Sequence, residues 1–254
     1  MKINVYIGYD RRQDESKNYP DLVNPPYSVA RHSILKNYKG DENDLNIQPI
    51  KLQDQIDAGL YWREEDSLAS TEFTYSRFLT PYLNNYDGIA VFVDSDFLWQ
   101  CDIRELLEYY DEKYSVMCVQ HDYDPPEKTK MDGCVQTHYP RKNWSSMMVF
   151  NCSHDDCKNL SVENINTKEA KYLHRMYWAD DNNIGNIPPT YNCNVLYKRK
   201  FLSVLLSILF TFSIYGLLII LLFSSLINFI KKSIVFNSGG FHLNKESHVL
   251  PCNG

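Results

Sequence analysis

The stretch Gly88-Ile89-Ala90-Val91-Phe92-Val93-Asp94-Ser95-Asp96-Phe97-Leu98-Trp99 narrows the folds open to this chain more than any other. An apolar run rich in β-branched and aromatic residues, opened by a glycine, predicts a buried strand. Two carboxylates one residue apart close the run. In open α/β sheets, ligands gather outside the carboxyl ends of the strands. Acids buried beside such a strand are costly unless a cation or hydrogen-bond donors compensate them. One reading is a divalent-metal site that holds a diphosphate. The other is that both acids cap the next turn or helix, a place that favours Asp.

The flanking sequence predicts strands at Ile3–Gly8, Asn46–Ile50, Tyr114–Val119 and Ser146–Phe150. Helical spacing runs from Val29 to Tyr38, from Ser70 to Leu79 with a stop near Pro81, from Asp102 to Glu108 with Asp102 as cap, and from Tyr172 to Trp178. Strands alternating with helices imply an α/β fold with a mostly parallel sheet. A chain of 254 residues has room for one such domain and an appendage. The net charge of −6, without a basic tract among aromatic residues, excludes a nucleic-acid binder. The seven cysteines are odd in number and form no disulfide framework. Cys152 and Cys157 lack the second Cys/His pair a zinc knuckle needs. Sequons begin at Asn143, Asn151 and Asn159, two of them inside a core-like segment, which points to chance.

Composition breaks near residue 197. No Asp or Glu occurs from Asn182 to Lys245. Within that window, Phe201 to Ile230 is uncharged and mostly apolar, flanked by Lys198-Arg199-Lys200 and Lys231-Lys232. At a rise of about 1.5 Å per residue this run exceeds a bilayer core of roughly 30 Å, so it reads as a transmembrane tail anchor with basic residues at both interfaces. The competing reading is a foreign tail, from translated non-coding sequence or a change of frame, joined to a truncated domain. The expected organisation is a catalytic domain over 1–197 and an apolar C-terminal appendage over 198–254. The chain opens directly on a β-type run with no signal peptide, which predicts a catalytic part facing the cytosol.

Four segments, in order, carry a resemblance to the family 8 glycosyltransferases, which have a GT-A fold and an Asp-x-Asp motif. Val5-Tyr6-Ile7-Gly8-Tyr9-Asp10 resembles the first strand and nucleoside loop. Thr74-Tyr75-Ser76-Arg77-Phe78-Leu79-Thr80-Pro81-Tyr82-Leu83 resembles the helix whose arginine faces the donor. Val91 to Leu98 with Asp102 to Leu106 resembles the metal motif and the helix after it. Ser145 to Asn151 resembles the strand beside the acceptor. The resemblance implies a metal-dependent transferase that takes a sugar from a nucleotide-sugar, a UDP-sugar above all, to an acceptor.

It also implies residue roles. Asp94 and Asp96 would bind one Mn2+ or Mg2+, since oxygen ligands suit these ions. Tyr9, Asp10, Arg77 and Asp94 would bind the donor. Asp180 and Asp181 would act near the acceptor. The family closes its metal site with a late histidine in a Gly- and Trp-containing segment. Here only His242, in Gly239-Gly240-Phe241-His242, has glycine neighbours, and it lies beyond the apolar run. An inactive, truncated or membrane-tethered domain is therefore an alternative. A second is a haloacid-dehalogenase-type phosphatase with Asp94 as nucleophile.

Overall fold

The structure, a computed structural model, describes residues 2–14, 25–67, 69–121, 141, 143–192 and 248–249. All of these belong to one compact unit. The apolar run 201–230, His242 and the expected C-terminal helix lie outside the described residues. Among the described residues no helix is long and apolar enough to cross a membrane.

The core is a six-stranded sheet in the order β2-β1-β3-β6-β5-β7. Its strands are β1 (Ile3–Gly8), β2 (Leu45–Ile50), β3 (Ile89–Val93), β5 (Val116–Cys118), β6 (Met147–Asn151) and β7 (Ile184–Asn186). Pairings β1–β2, β1–β3 and β5–β7 are parallel, and only β6 runs against its neighbours β3 and β5. A separate two-stranded ribbon pairs β4 (Phe97–Leu98) with β8 (His248–Val249), Phe97 opposite His248.

Alternation along the strands divides the core into two layers. On one face Tyr6, Ala90, Phe92, Met148 and Phe150 pack against Phe73, Phe78, Leu173 and Trp178. On the other, Val5, Ile7, Val91, Val93 and Met147 pack against Ala30, Ile34, Ile103 and Leu106. The short helices α1 (Arg11–Asp14) and α3 (Leu52–Asp57) follow β1 and β2, and α2 (Pro26–Asn37) and α5 (Ile103–Leu107) supply the second layer. The first is built from short pieces, including α4 (Thr80–Leu83), α6 (Val162–Thr167) and α7 (Ala170–His174).

Several expectations need correction. The helix read over Ser70–Leu79 is a 3-10 turn at Ser76–Leu79 that runs into α4. Pro81 lies in the first turn of α4, where its missing N–H costs nothing, and does not stop it. The helix read from Tyr172 to Trp178 starts at Ala170 and ends at His174, since Met176 takes a left-handed φ of 54°. Cys152 and Cys157 are free thiols buried in the core. Burial pushes the Cys152 thiol up to about 12.

Candidate functional site

Both acids of the motif sit on one tight turn. Asp94 follows the last residue of β3, and its carbonyl accepts a bond from Phe97 N. Its own N–H donates to Ser146 O at 2.9 Å, so the start of β6 pins the turn. Period two along β3 sends Asp94 to the face of Ala90 and Phe92. That is the face on which the segment from Phe73 to Leu79 packs.

Arg77 comes from this segment and meets Asp94. Its Nη1 donates to Asp94 Oδ1 at 2.7 Å and to Ser145 O at 2.9 Å, and its Nε donates to Phe73 O at 3.2 Å. The guanidinium lies 5.2 Å from the ring centroids of both Phe73 and Phe92. Three hydrogen bonds and two rings therefore fix a buried cation. Gly8, the last residue of β1, permits this layer. A Cβ there would stand 2.5 Å from the Phe73 ring.

A further group continues the network. Ser145 Oγ lies 3.2 Å from His174 Nδ1. The His174 ring contacts Tyr75 and Phe78, with centroids at 5.6 and 5.2 Å. Burial first, then the positive charge of Arg77 and Arg63, pull the imidazole pKa down to about 3. His174 is neutral near pH 7. On the other flank, Asn192 Nδ2 donates to Ser146 Oγ at 2.7 Å, and Trp144 Nε1 donates to His121 O.

Tyr9 and Asp10 stand at the end of β1, beside the acids, because Ile7 pairs with Val93. Tyr9 is nearly covered: Tyr27 meets it edge-on, and Lys51 Nζ sits 4.8 Å from its ring centroid. Asp10 is fully buried. Its carboxylate accepts bonds from Arg12 N, Nε and Nη2 and from Glu72 N.

Asp180 and Asp181 are not brought to this cluster. They lie on the 3-10 turn that enters β7, and Ile184 at its start pairs with Val116 at the start of β5. These residues open their strands, whereas Asp94 follows the end of β3, and Asp181 is linked back toward the start of β6 through Arg141, whose guanidinium lies 5.4 Å from the Trp144 ring centroid. Asp180 is exposed and accepts a bond from Asn182 N, and Asp181 pairs with Arg141. Asp96 shares the turn with Asp94. Two hard oxygen donors on one turn suit Mg2+ or Mn2+ chemically. Among the described residues, no group of three or more His, Cys, Asp or Glu side chains converges.

Sequence reasoning missed His174, which carries no motif.

A mixed, mostly parallel sheet with helices on both faces, and with acids and a buried arginine at its strand ends, defines an α/β domain of the open-sheet kind. The chain belongs to the family of Protein CDI from Arabidopsis thaliana, with which it is 50% identical over 188 residues, 74% of this chain and 68% of that protein. No protein-family profile matches it. Among solved structures it is similar to the WbbM bifunctional glycosyltransferase, at a TM-score of 0.49 and 15% identity over 75% of this chain and 39% of that one. It is also similar to GlyE of Streptococcus pneumoniae, at 0.46 and 12% over 85% and 53%, and to mouse xyloside xylosyltransferase 1, at 0.44 and 11% over 76% and 87%.

Proposed function

We propose that this chain is a metal-dependent glycosyltransferase that takes a sugar from a nucleoside diphosphate-sugar to an acceptor hydroxyl. The observation that carries the reading is the Arg77–Asp94 pair at the carboxyl end of β3, with Asp96 on the same turn. Asp94 and Asp96 would hold one Mn2+ or Mg2+. A cation bound there would neutralise the charge that builds on the departing diphosphate.

The chain's own residues do the rest. Arg77 is buried and bonded to three oxygens, and it would add preorganised positive charge where the donor phosphates or sugar would lie. Ser145 O and Ser146 O hold that arginine and the Asp94 amide in place. The rim of Tyr9, Tyr27 and Lys51 at the ends of β1 and β2 would flank the base. In the transfer, the bond from anomeric carbon to phosphate oxygen breaks with its electron pair left on the departing diphosphate, the acceptor oxygen bonds to that carbon, and the acceptor's proton passes to the diphosphate oxygen. Asp180 and Asp181 would enter only with an acceptor that reaches the turn before β7.

Calorimetry on the full chain with UDP and MnCl2 tests the reading. Metal-dependent binding that Asp96→Ala weakens at least tenfold is the expected result. Absence of binding to any nucleoside diphosphate, with or without Mn2+ or Mg2+, overturns it.

A further inference from the structure

We propose that His174 is a positioning residue of this site: through Ser145 it holds the carbonyl that locks Arg77 onto Asp94. The inference rests on the functional reading above for its consequence in ligand binding, and on geometry alone for the coupling itself.

Ser145 precedes the first ladder residue of β6, Met147, so no strand pairing of β6 fixes its peptide. It belongs to the 3-10 turn Trp144–Ser146, which Asn143 enters at a left-handed φ of 65°. Yet the Ser145 carbonyl is one of three oxygens that orient Arg77, with Asp94 Oδ1 and Phe73 O. The peptide that carries this carbonyl is held at its N–H, where Ser146 N donates to Asn143 O at 3.3 Å. The Ser145 side chain adds a second anchor: Oγ reaches His174 Nδ1 at 3.2 Å, on a separate layer of the fold. His174 is wedged between Tyr75 and Phe78, the residues on either side of the Ser76-Arg77 pair. The ring therefore touches the arginine's own segment and, through Ser145, the arginine's acceptor. A hydrogen-bonding ring without charge suits this place. A lysine or an imidazolium would add a second cation beside Arg77 and Arg63, with Asp66 as the acid that faces it.

Arginine-selective 15N labelling of the full chain gives a direct readout. The Arg77 Nε–H signal is identified by its loss in Arg77→Lys, and its exchange with water is measured. His174→Phe keeps the ring packing and drops the hydrogen bond, and is expected to speed Arg77 exchange at least tenfold. His174→Asn places an amide near the Nδ1 position and is expected to restore exchange to within about threefold of the natural protein. Ser145→Ala, which keeps the carbonyl, is expected to match His174→Phe and serves if the histidine variants do not fold. Unchanged exchange in Ser145→Ala, or no rescue by a folded His174→Asn, overturns the proposal. Binding of UDP with Mn2+, measured in parallel, separates the two readings. If the natural protein binds nothing while Arg77 exchange responds as expected, the functional reading fails and the coupling stands. If Ser145→Ala frees Arg77 but binds UDP with Mn2+ unchanged, the coupling has no role in the site and this inference fails.

Discussion

Two adjacent parallel strands end in an aspartate held by an arginine, and the two pairs are built inside out relative to each other. After β1, Asp10 is fully buried while 59% of the Arg12 side chain is exposed. After β3, Arg77 is 8% exposed and Asp94 is 21% exposed. In the first pair the cation is a lid over a buried acid, which also accepts bonds from the backbone N–H groups of Arg12 and Glu72. In the second the cation is the foundation and the acid faces outward. A carboxylate locked under its partner is shut off from solvent, and one held from beneath by a desolvated arginine keeps part of its surface exposed. The same two residue types, one strand apart, are thus assembled with opposite members buried.

The largest test of this contrast is Asp94→Ala. It leaves Arg77 without its carboxylate in a buried place, and stability should fall by about 3 kcal/mol in urea unfolding. Asp10→Ala should cost less, about 2 kcal/mol, because Arg12 can turn into water and the loss is chiefly the acceptor of two N–H groups. Equal costs for the two substitutions would remove the distinction. Gly8→Ala drives a methyl group against Phe73 and should also cost about 2 kcal/mol. Its sharper consequence is weaker nucleotide binding, because Phe73 supports Arg77.

An effect of comparable size is expected from pH. His174 binds a proton less readily in the folded chain, near 3, than in an unfolded one, near the ordinary histidine value of about 6.5. Between those values the unfolded state holds more protons, so stability is complete above about pH 6.5 and declines as pH falls toward 3. His174→Asn should flatten this decline, most cleanly above pH 4.5, before most carboxylates titrate. Parallel pH profiles of the two proteins would refute the assignment. The smallest effect belongs to Asp180→Asn and Asp181→Asn, at exposed positions. Each should change stability by no more than about 0.5 kcal/mol. Neither should alter UDP binding with Mn2+.

The two pairs were not equally legible in the sequence. The apolar runs of β1 and β3 announce themselves, and their ends place Asp10, Asp94 and Asp96 together on one edge of the sheet. The order of burial within each pair is a tertiary fact: Arg11-Arg12 and Arg77 look alike as letters. β7 went unread because Ile-Gly-Asn is too short to show a period. Its Gly185 is there for packing, since a Cβ would meet Tyr114 and Met117 at 2.6 Å. α6, Val-Glu-Asn-Ile-Asn-Thr, is a single polar turn and a half that is helical because its apolar side chains dock on the core and Asn166 bonds back to Leu60 O and Val162 O. The charge and spacing of Asp180-Asp181 suggested a catalytic pair. Strand register, which no local pattern encodes, sets them just before β7, where Asp180 is exposed and Asp181 pairs with Arg141.

The single reversed strand has one more consequence. Because β6 runs against its neighbours, its beginning rather than its end joins the row of strand ends that forms the rim. Two consecutive peptide oxygens there, of Ser145 and Ser146, steady the arginine and the turn that bears the acids. A slip of β6 by one residue would misplace both at once, together with every inward side chain of that strand. Errors of assembly and errors of chemistry are thereby made the same event, and a misregistered chain has no way to keep a working mouth.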